Sequence, residues 1–204
     1  MSISLVVCCS KKYEHHLPGY MEAVDALTTK PDEVVLVTDG VVPDFDCTLI
    51  NTDQGWNLGN WYNLGFAAAT ADWVVWTGVD DRLRPHALEQ VRTCQADVLA
   101  FGLQYTTRQK WLPLTVTAEQ VLQVKENLVP CGSPVRRSLW QGIPFQPQLY
   151  PFDDWAFWVG CAAQGAIFTT TNTIDVDYDY GPGHINPPIE PTRTHIAEWA
   201  KGLP

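Results

Sequence analysis

Short runs of consecutive apolar residues alternate, along the first half of the chain, with segments whose apolar residues recur every three or four positions. That is the pattern of buried parallel strands joined by helices. Ile3-Ser4-Leu5-Val6-Val7 is the first run and Glu33 to Thr38 the second. After a loop from Cys9 to His16, Met21, Val24 and Leu27 share one stripe of a helix predicted from Gly19 to Leu27, which Lys30-Pro31 ends. Strand, helix and strand in this compass predict a right-handed crossover and parallel pairing. Asp39-Gly40 then stands at a strand's carboxyl end.

Cys47 to Asn51 reads as a weaker third strand, and Leu58 to Ala71 as a helix packed through Trp61, Leu64, Ala67 and Ala68. Gly59 and Gly65 inside it predict close approach of backbone to a neighbour. Asp72 to Thr77, containing Trp73-Val74-Val75-Trp76, is another buried strand, and it runs into Gly78-Val79-Asp80-Asp81. Pro85 is placed to open a helix reaching Cys94, followed by a strand from Val98 to Leu103. Beyond this the pattern loosens. Thr117 and Gln120 form a capping box for a helix reaching Glu126, and Ser133-Pro134 starts a short helix that Gly142 stops. Asp153-Asp154 opens a helix, Trp155 to Gln164, closed by Gly165. Ala166 to Thr171 and Ile174 to Asp177 are final strands before a Pro- and Gly-rich tail.

A chain of 204 residues with this order of elements predicts one α/β domain, a mostly parallel sheet flanked by helices. Residues 1–103 would form one half and 104–180 the other, with 181–204 as the tail. The 46% hydrophobic and 18% charged content fits a folded chain. A net charge of −10 disfavours polyanionic partners unless a local basic patch exists. The first apolar run is too short to span a bilayer and lacks the charged flank of a secretory signal, so a cytoplasmic protein is expected. The six cysteines include no CxxC pair, which points to reduced core residues rather than a zinc site.

In open α/β sheets ligands bind outside the carboxyl ends of the strands, where Asp39, Asp80 and Asp81 all fall. Adjacent carboxylates in a tight turn are hard ligands suited to Mg²⁺ or Mn²⁺, and such a cation can bridge the phosphates of a nucleoside diphosphate. The plainer reading is a solvated acidic turn before a helix. Arg136 and Arg137, after the Gly132-Ser133-Pro134 turn, are candidates for donor phosphates or simply exposed surface. Asp153 and Asp154 are equally placed to be a cap and a first-turn acid.

The order SISLVV, EVVLVTDG, NLGNWYNLGFAAATADWVVWTGVDDRL, PCGSPVRRSLW and PFDDWAFWVGCAAQG resembles family 2 glycosyltransferases of the GT-A (Rossmann-like) fold, over residues 2–168. The resemblance implies a nucleoside diphosphate sugar as donor and a mixed, mostly parallel sheet. It implies that Asp39 contacts the nucleoside, and that Asn57, Asn63 and Gly65 lie on a donor-contacting segment. The family's DxD motif aligns with Gly78-Val79-Asp80, so its first acid is missing here. Asp80 keeps the metal role, with Asp81 as a substitute for the missing acid. Asp153-Asp154-Trp155 matches the family's catalytic acidic pair, which makes Asp154 the expected base of an inverting transfer, supported by Asp153. Some GT-A enzymes complete the metal site with a C-terminal histidine, and His184 is the candidate.

Two other readings stay open. A sugar nucleotidyltransferase would want a Gly-rich basic loop after the first strand, and Cys8-Cys9-Ser10-Lys11-Lys12 has lysines but no glycine. A catalytically silent carbohydrate- or nucleotide-binding protein of the same fold is the other, with Gly78 as its mark. The acceptor is undetermined: a glycan, a protein, a metabolite, or a hydroxylated base of viral DNA. For the last, Lys11-Lys12, Arg82-Arg84, Arg108-Lys110 and Arg136-Arg137 would have to form a basic rim.

Overall fold

The computed structural model describes residues 1–106, 109–112, 115–179 and 189–203. In chain order the elements are β1 (Ile3–Cys9), α1 (Leu17–Asp25), β2 (Glu33–Thr38), β3 (Thr48–Asn51), α2 (Leu58–Ala68), β4 (Trp73–Gly78) and β5 (Arg82–Leu83). There follow β6 (Val98–Tyr105), β7 (Lys110–Trp111), α3 (Ala118–Leu122), β8 (Val135–Arg136), α4 (Arg137–Gly142), α5 (Asp153–Ala163), β9 (Phe168–Tyr178) and α6 (Ile189–Ala200). Among the described residues the strands form one sheet in the order β3-β2-β1-β4-β8-β6-β9-β5, with β7 on β6. The pairs β1·β2, β1·β4, β2·β3 and β6·β9 are parallel, and β8 runs antiparallel to both β4 and β6. This is the mixed, mostly parallel sheet that the sequence predicts.

Every residue of β1 is buried because both faces of the sheet are covered. Leu5, Val7 and Cys9 face α1 residues Leu17, Tyr20 and Val24, while Val6 and Cys8 face α2 and α5. Gly65 explains how closely α2 lies on the sheet: a Cβ there would overlap Val6 Cγ1 and sit 3.2 Å from Val37 Cγ2. On the same face Trp76 meets Phe66, Phe145, Phe157 and Trp158 at ring separations of 5.4, 5.5, 5.8 and 4.9 Å. That aromatic knot fixes β4 against α2 and α5, and the ends of β4 and α5 carry the acidic pairs.

Several local expectations need correcting. Pro85 to Cys94 is a succession of turns with i→i+3 bonds, including a 3-10 turn at Val91–Thr93, instead of an α-helix. Ala87, Leu88 and Val91 are buried, and His86 and Gln90 bond Ile174 O and Thr171 O of β9 and hold the segment in tighter turns. Ser133-Pro134 opens no helix. Val135, fully buried, bridges Val74 and Val98 instead, and the helix starts at Arg137. The two last strands are one, β9, interrupted by a bulge where Asp175 accepts from Gly102 N, Thr171 Oγ1 and Thr173 Oγ1. The capping box at Thr117 is present, though α3 ends at Leu122. The tail contains α6, whose Ile196 is fully buried against the α5 side of the core.

Candidate active site

The parallel register sets Cys9 beside Thr38 and Cys8 beside Gly78, so the ends of β1, β2 and β4 open onto one edge. Asp39, exposed at the end of β2, accepts from Ser10 Oγ at 3.1 Å and from the Lys11 backbone N–H. The end of β4 closes into a turn in which Asp81 N donates to Gly78 O at 3.3 Å. Asp80 is half-buried there, and Asp81 is only 8% exposed, with Asp179 N donating to its Oδ1 at 3.3 Å. Burial and then the neighbouring Asp80 hold the Asp81 carboxyl well above the usual carboxylate range. Arg82 does not pair with either acid through its side chain. Its guanidinium donates to the carbonyls of Val79, Asp81 and His16.

The second acidic pair begins α5. Asp153 is 4% exposed and its Oδ2 has no hydrogen-bond partner among the described residues. Only the absence of a side chain at Gly59 admits it, since a Cβ there would sit 2.7 Å from that oxygen and 3.3 Å from Pro147 Cα. Burial and Asp154 push the Asp153 carboxyl up to about 7. Asp154 is more open and is pinned by Asn127 Nδ2, which donates to its Oδ2 at 2.9 Å. Burial raises its carboxyl to about 6, against the pull of Trp155 N–H, Asn127 and its own N–H. The two pairs act on common neighbours. Cys131 and Tyr178 both have their ionisation raised by burial first and then by Asp81 and Asp154 together.

A carboxyl whose folded value lies above its unfolded 3.8 costs stability at every pH where the unfolded chain would already have ionised it. The penalty is absent below pH 4 and grows as pH rises toward 7. Asp153→Asn is therefore expected to stabilise the fold by about 1–3 kcal/mol at pH 8, and by almost nothing near pH 4. Urea melts at the two pH values measure it; an equal gain at both would refute this origin.

The structure separates the other sequence candidates. Asn57 caps α2, its Oδ1 accepting from Asn60 N at 3.0 Å and its Nδ2 donating to Pro147 O at 3.1 Å. Asn63 is engaged inside the protein, accepting from Trp140 Nε1 and Phe145 N and donating to Phe145 O. Gly65 faces the sheet, as above. Arg136 pairs in register with Trp73, at the start of β4, and lies over its ring at 4.4 Å. With Arg137 N bonded to Asp72 O, both arginines sit at the edge opposite Asp80 and Asp81, so the donor-phosphate role expected for them does not fit. His184 lies outside the described residues. Sequence reasoning missed Asn127, Cys131, Tyr178 and Asp179. Asn127 follows Lys125-Glu126 in a polar run and gave no signal of its own.

Asp80 and Asp81 offer hard oxygens, and no lysine or arginine forms a salt bridge with them among the described residues. That donor set fits a divalent cation. Among the described residues, however, no three His, Cys, Asp or Glu side chains converge to hold one.

Residues 4–93 match the model of glycosyl transferase family 2. The chain has the fold of a GT-A glycosyltransferase. The crystal structure of S. aureus TarS 1-349 in complex with UDP is similar to this GT-A domain at a TM-score of 0.74 and 15% identity, covering 98% of this chain and 65% of that one. Its complex with UDP-GlcNAc gives 0.69 at 16% identity, over 90% and 60%. A further TarS structure gives 0.67 at 16%, over 89% and 37%. The GT-A domain thus spans less than two thirds of the length of these structures. No curated protein matches the sequence. No helix among the described residues is long and apolar enough to cross a membrane.

Proposed function

We propose that this domain transfers a sugar from a nucleoside diphosphate sugar to a hydroxyl acceptor with inversion of the anomeric centre. The observation that carries the reading is Asp154. It is a carboxylate at a helix N-terminus, oriented by Asn127, raised to about 6, and acting with Asp81 at the end of β4 on the same neighbour, Cys131. In the reaction, the acceptor hydroxyl gives its proton to Asp154 while its oxygen bonds the anomeric carbon. The bond from that carbon to the diphosphate oxygen breaks, and the diphosphate leaves with the electron pair. One displacement inverts the centre. Asp153, buried behind Asp154, supports the pair.

A uridine diphosphate sugar is the proposed donor, since the TarS structures hold UDP and UDP-GlcNAc. Asp39 at the end of β2 is the proposed nucleoside contact, and Asp80 with Asp81 the cation site. Mn²⁺ or Mg²⁺ held there would offset charge on the leaving diphosphate. His184 is a third candidate ligand. A DNA acceptor is the weaker choice: Arg82 bonds backbone carbonyls, Arg84 pairs with Asp177 at 2.7 Å, and Arg136 lies at the far edge. A soluble glycan, protein or metabolite is preferred. The test is to supply UDP-sugars with Mn²⁺ and a panel of hydroxyl acceptors and to read the product's anomeric coupling by NMR. Inverted product is expected. Retained configuration would exclude a single displacement, and binding of UDP without turnover of any sugar would favour a silent binding protein.

A further inference from the structure

Position 78 is where the two-acid motif of similar enzymes has its first carboxylate, and glycine there looks like a loss. The geometry gives it a task. Gly78 opens the turn that ends at Asp81, and the atoms nearest to a Cβ built on it all belong to the two acids. That Cβ would overlap Oδ1 of Asp80 and lie 3.8 Å from Oδ2 of Asp81. Asp80 is folded back over the bare Cα of the residue two before it, in the space that any side chain at 78 would claim. Glycine is not needed for the backbone, because the positive-φ glycines are Gly40, Gly132 and Gly165. What a methyl group would displace is the end of a short side chain, so the fold can absorb the change while Asp80 cannot keep its place.

We propose that Gly78 is a positioning residue, whose missing side chain lets Asp80 fold back beside Asp81 and so sets the cation-facing arrangement of the two carboxylates. Refilling the position, even with aspartate to restore the motif, weakens the site. The inference rests on the reading of Asp80 as a cation ligand in a diphosphate site.

The experiment titrates Mn²⁺ alone, and UDP in the presence of Mn²⁺, into the full chain by calorimetry. Gly78→Ala and Gly78→Asp are expected to melt close to the parent and to bind both probes about tenfold more weakly or worse. Asp80→Asn should show a loss of the same size, and adding Gly78→Ala to it should cost nothing more, because the group that glycine positions is already gone. Additive losses overturn the proposal, as does parental or tighter Mn²⁺ binding by Gly78→Asp. A crystal structure of Gly78→Ala supplies a readout independent of metal: Asp80 turned out of the 78–81 turn supports the proposal, and an unmoved carboxylate overturns it. Failure of the underlying reading has its own signature. Asp80→Asn would then bind Mn²⁺ and UDP as the parent does, which overturns both; a loss in Asp80→Asn without one in Gly78→Ala overturns the positioning role alone.

Discussion

Replacing Asp154 with asparagine is expected to lower kcat by about 10²- to 10⁴-fold with the fold and the affinity for UDP retained. Asparagine keeps the shape and the contact with Asn127 but cannot take a proton from the acceptor. The pH profile carries the stronger test. A base raised to about 6, next to a carboxyl raised to about 7, must be ionised to act, so the rate should climb as pH rises through that range and level above it. In Asp154→Asn the acid limb attributable to the base should vanish. Asn127→Ala removes a donor that favours the ionised form, so its limb should move to higher pH while the plateau changes less. Initial rates from pH 5 to pH 9 decide the matter. A variant at 154 with the parent's plateau would remove this residue from the chemistry.

Trp76→Ala is expected to destabilise the protein by about 3–5 kcal/mol, enough to leave little folded reserve. Trp76 is fully buried and holds the rings of Tyr62, Phe66, Phe145, Phe157 and Trp158, which come from α2, the 145 segment and α5. No single neighbour can collapse into the space it leaves. Its Nε1–H has no partner among the described residues, so the indole brings a desolvated donor as well as a large apolar surface. Trp76→Phe retains most of the ring packing and sheds that donor, and should cost about 1 kcal/mol. Urea unfolding of the two variants gives the contrast. Equal losses would mean that the N–H, and not the packing, is what matters at this position.

Much of the sheet was legible because each central strand is buried on both faces and leaves an unbroken apolar run. Glu33–Thr38 and the run through Trp73-Val74-Val75-Trp76 appear as read. The Pro85 segment shows the limit: a proline placed to open a helix serves equally well to open consecutive tight turns, and both bury Ala87, Leu88 and Val91. The difference came from bonds to β9, some eighty residues away. Val135 was invisible for a similar reason, since a strand of two residues has no period. At the site, the acidic pairs could be read from their addresses at the ends of a strand and a helix. Their partners could not, because Asn127, Cys131 and Tyr178 reach them only through tertiary packing. Arg136 and Arg137 misled because a basic pair after a turn says nothing about which edge of the sheet it occupies.

The brevity of β8 also bears on how the chain assembles. β4 and β6 are joined through Val135 and Arg136, which lie well beyond both of them in sequence. A chain emerging from the ribosome can pair β3, β2, β1 and β4 while that cover has still to be made. During this interval Trp73–Gly78 is an apolar strand with an open hydrogen-bonding edge, a template for pairing with another chain. Substitutions that weaken the two-residue cover, such as Val135→Asp, should therefore show first as aggregation during synthesis.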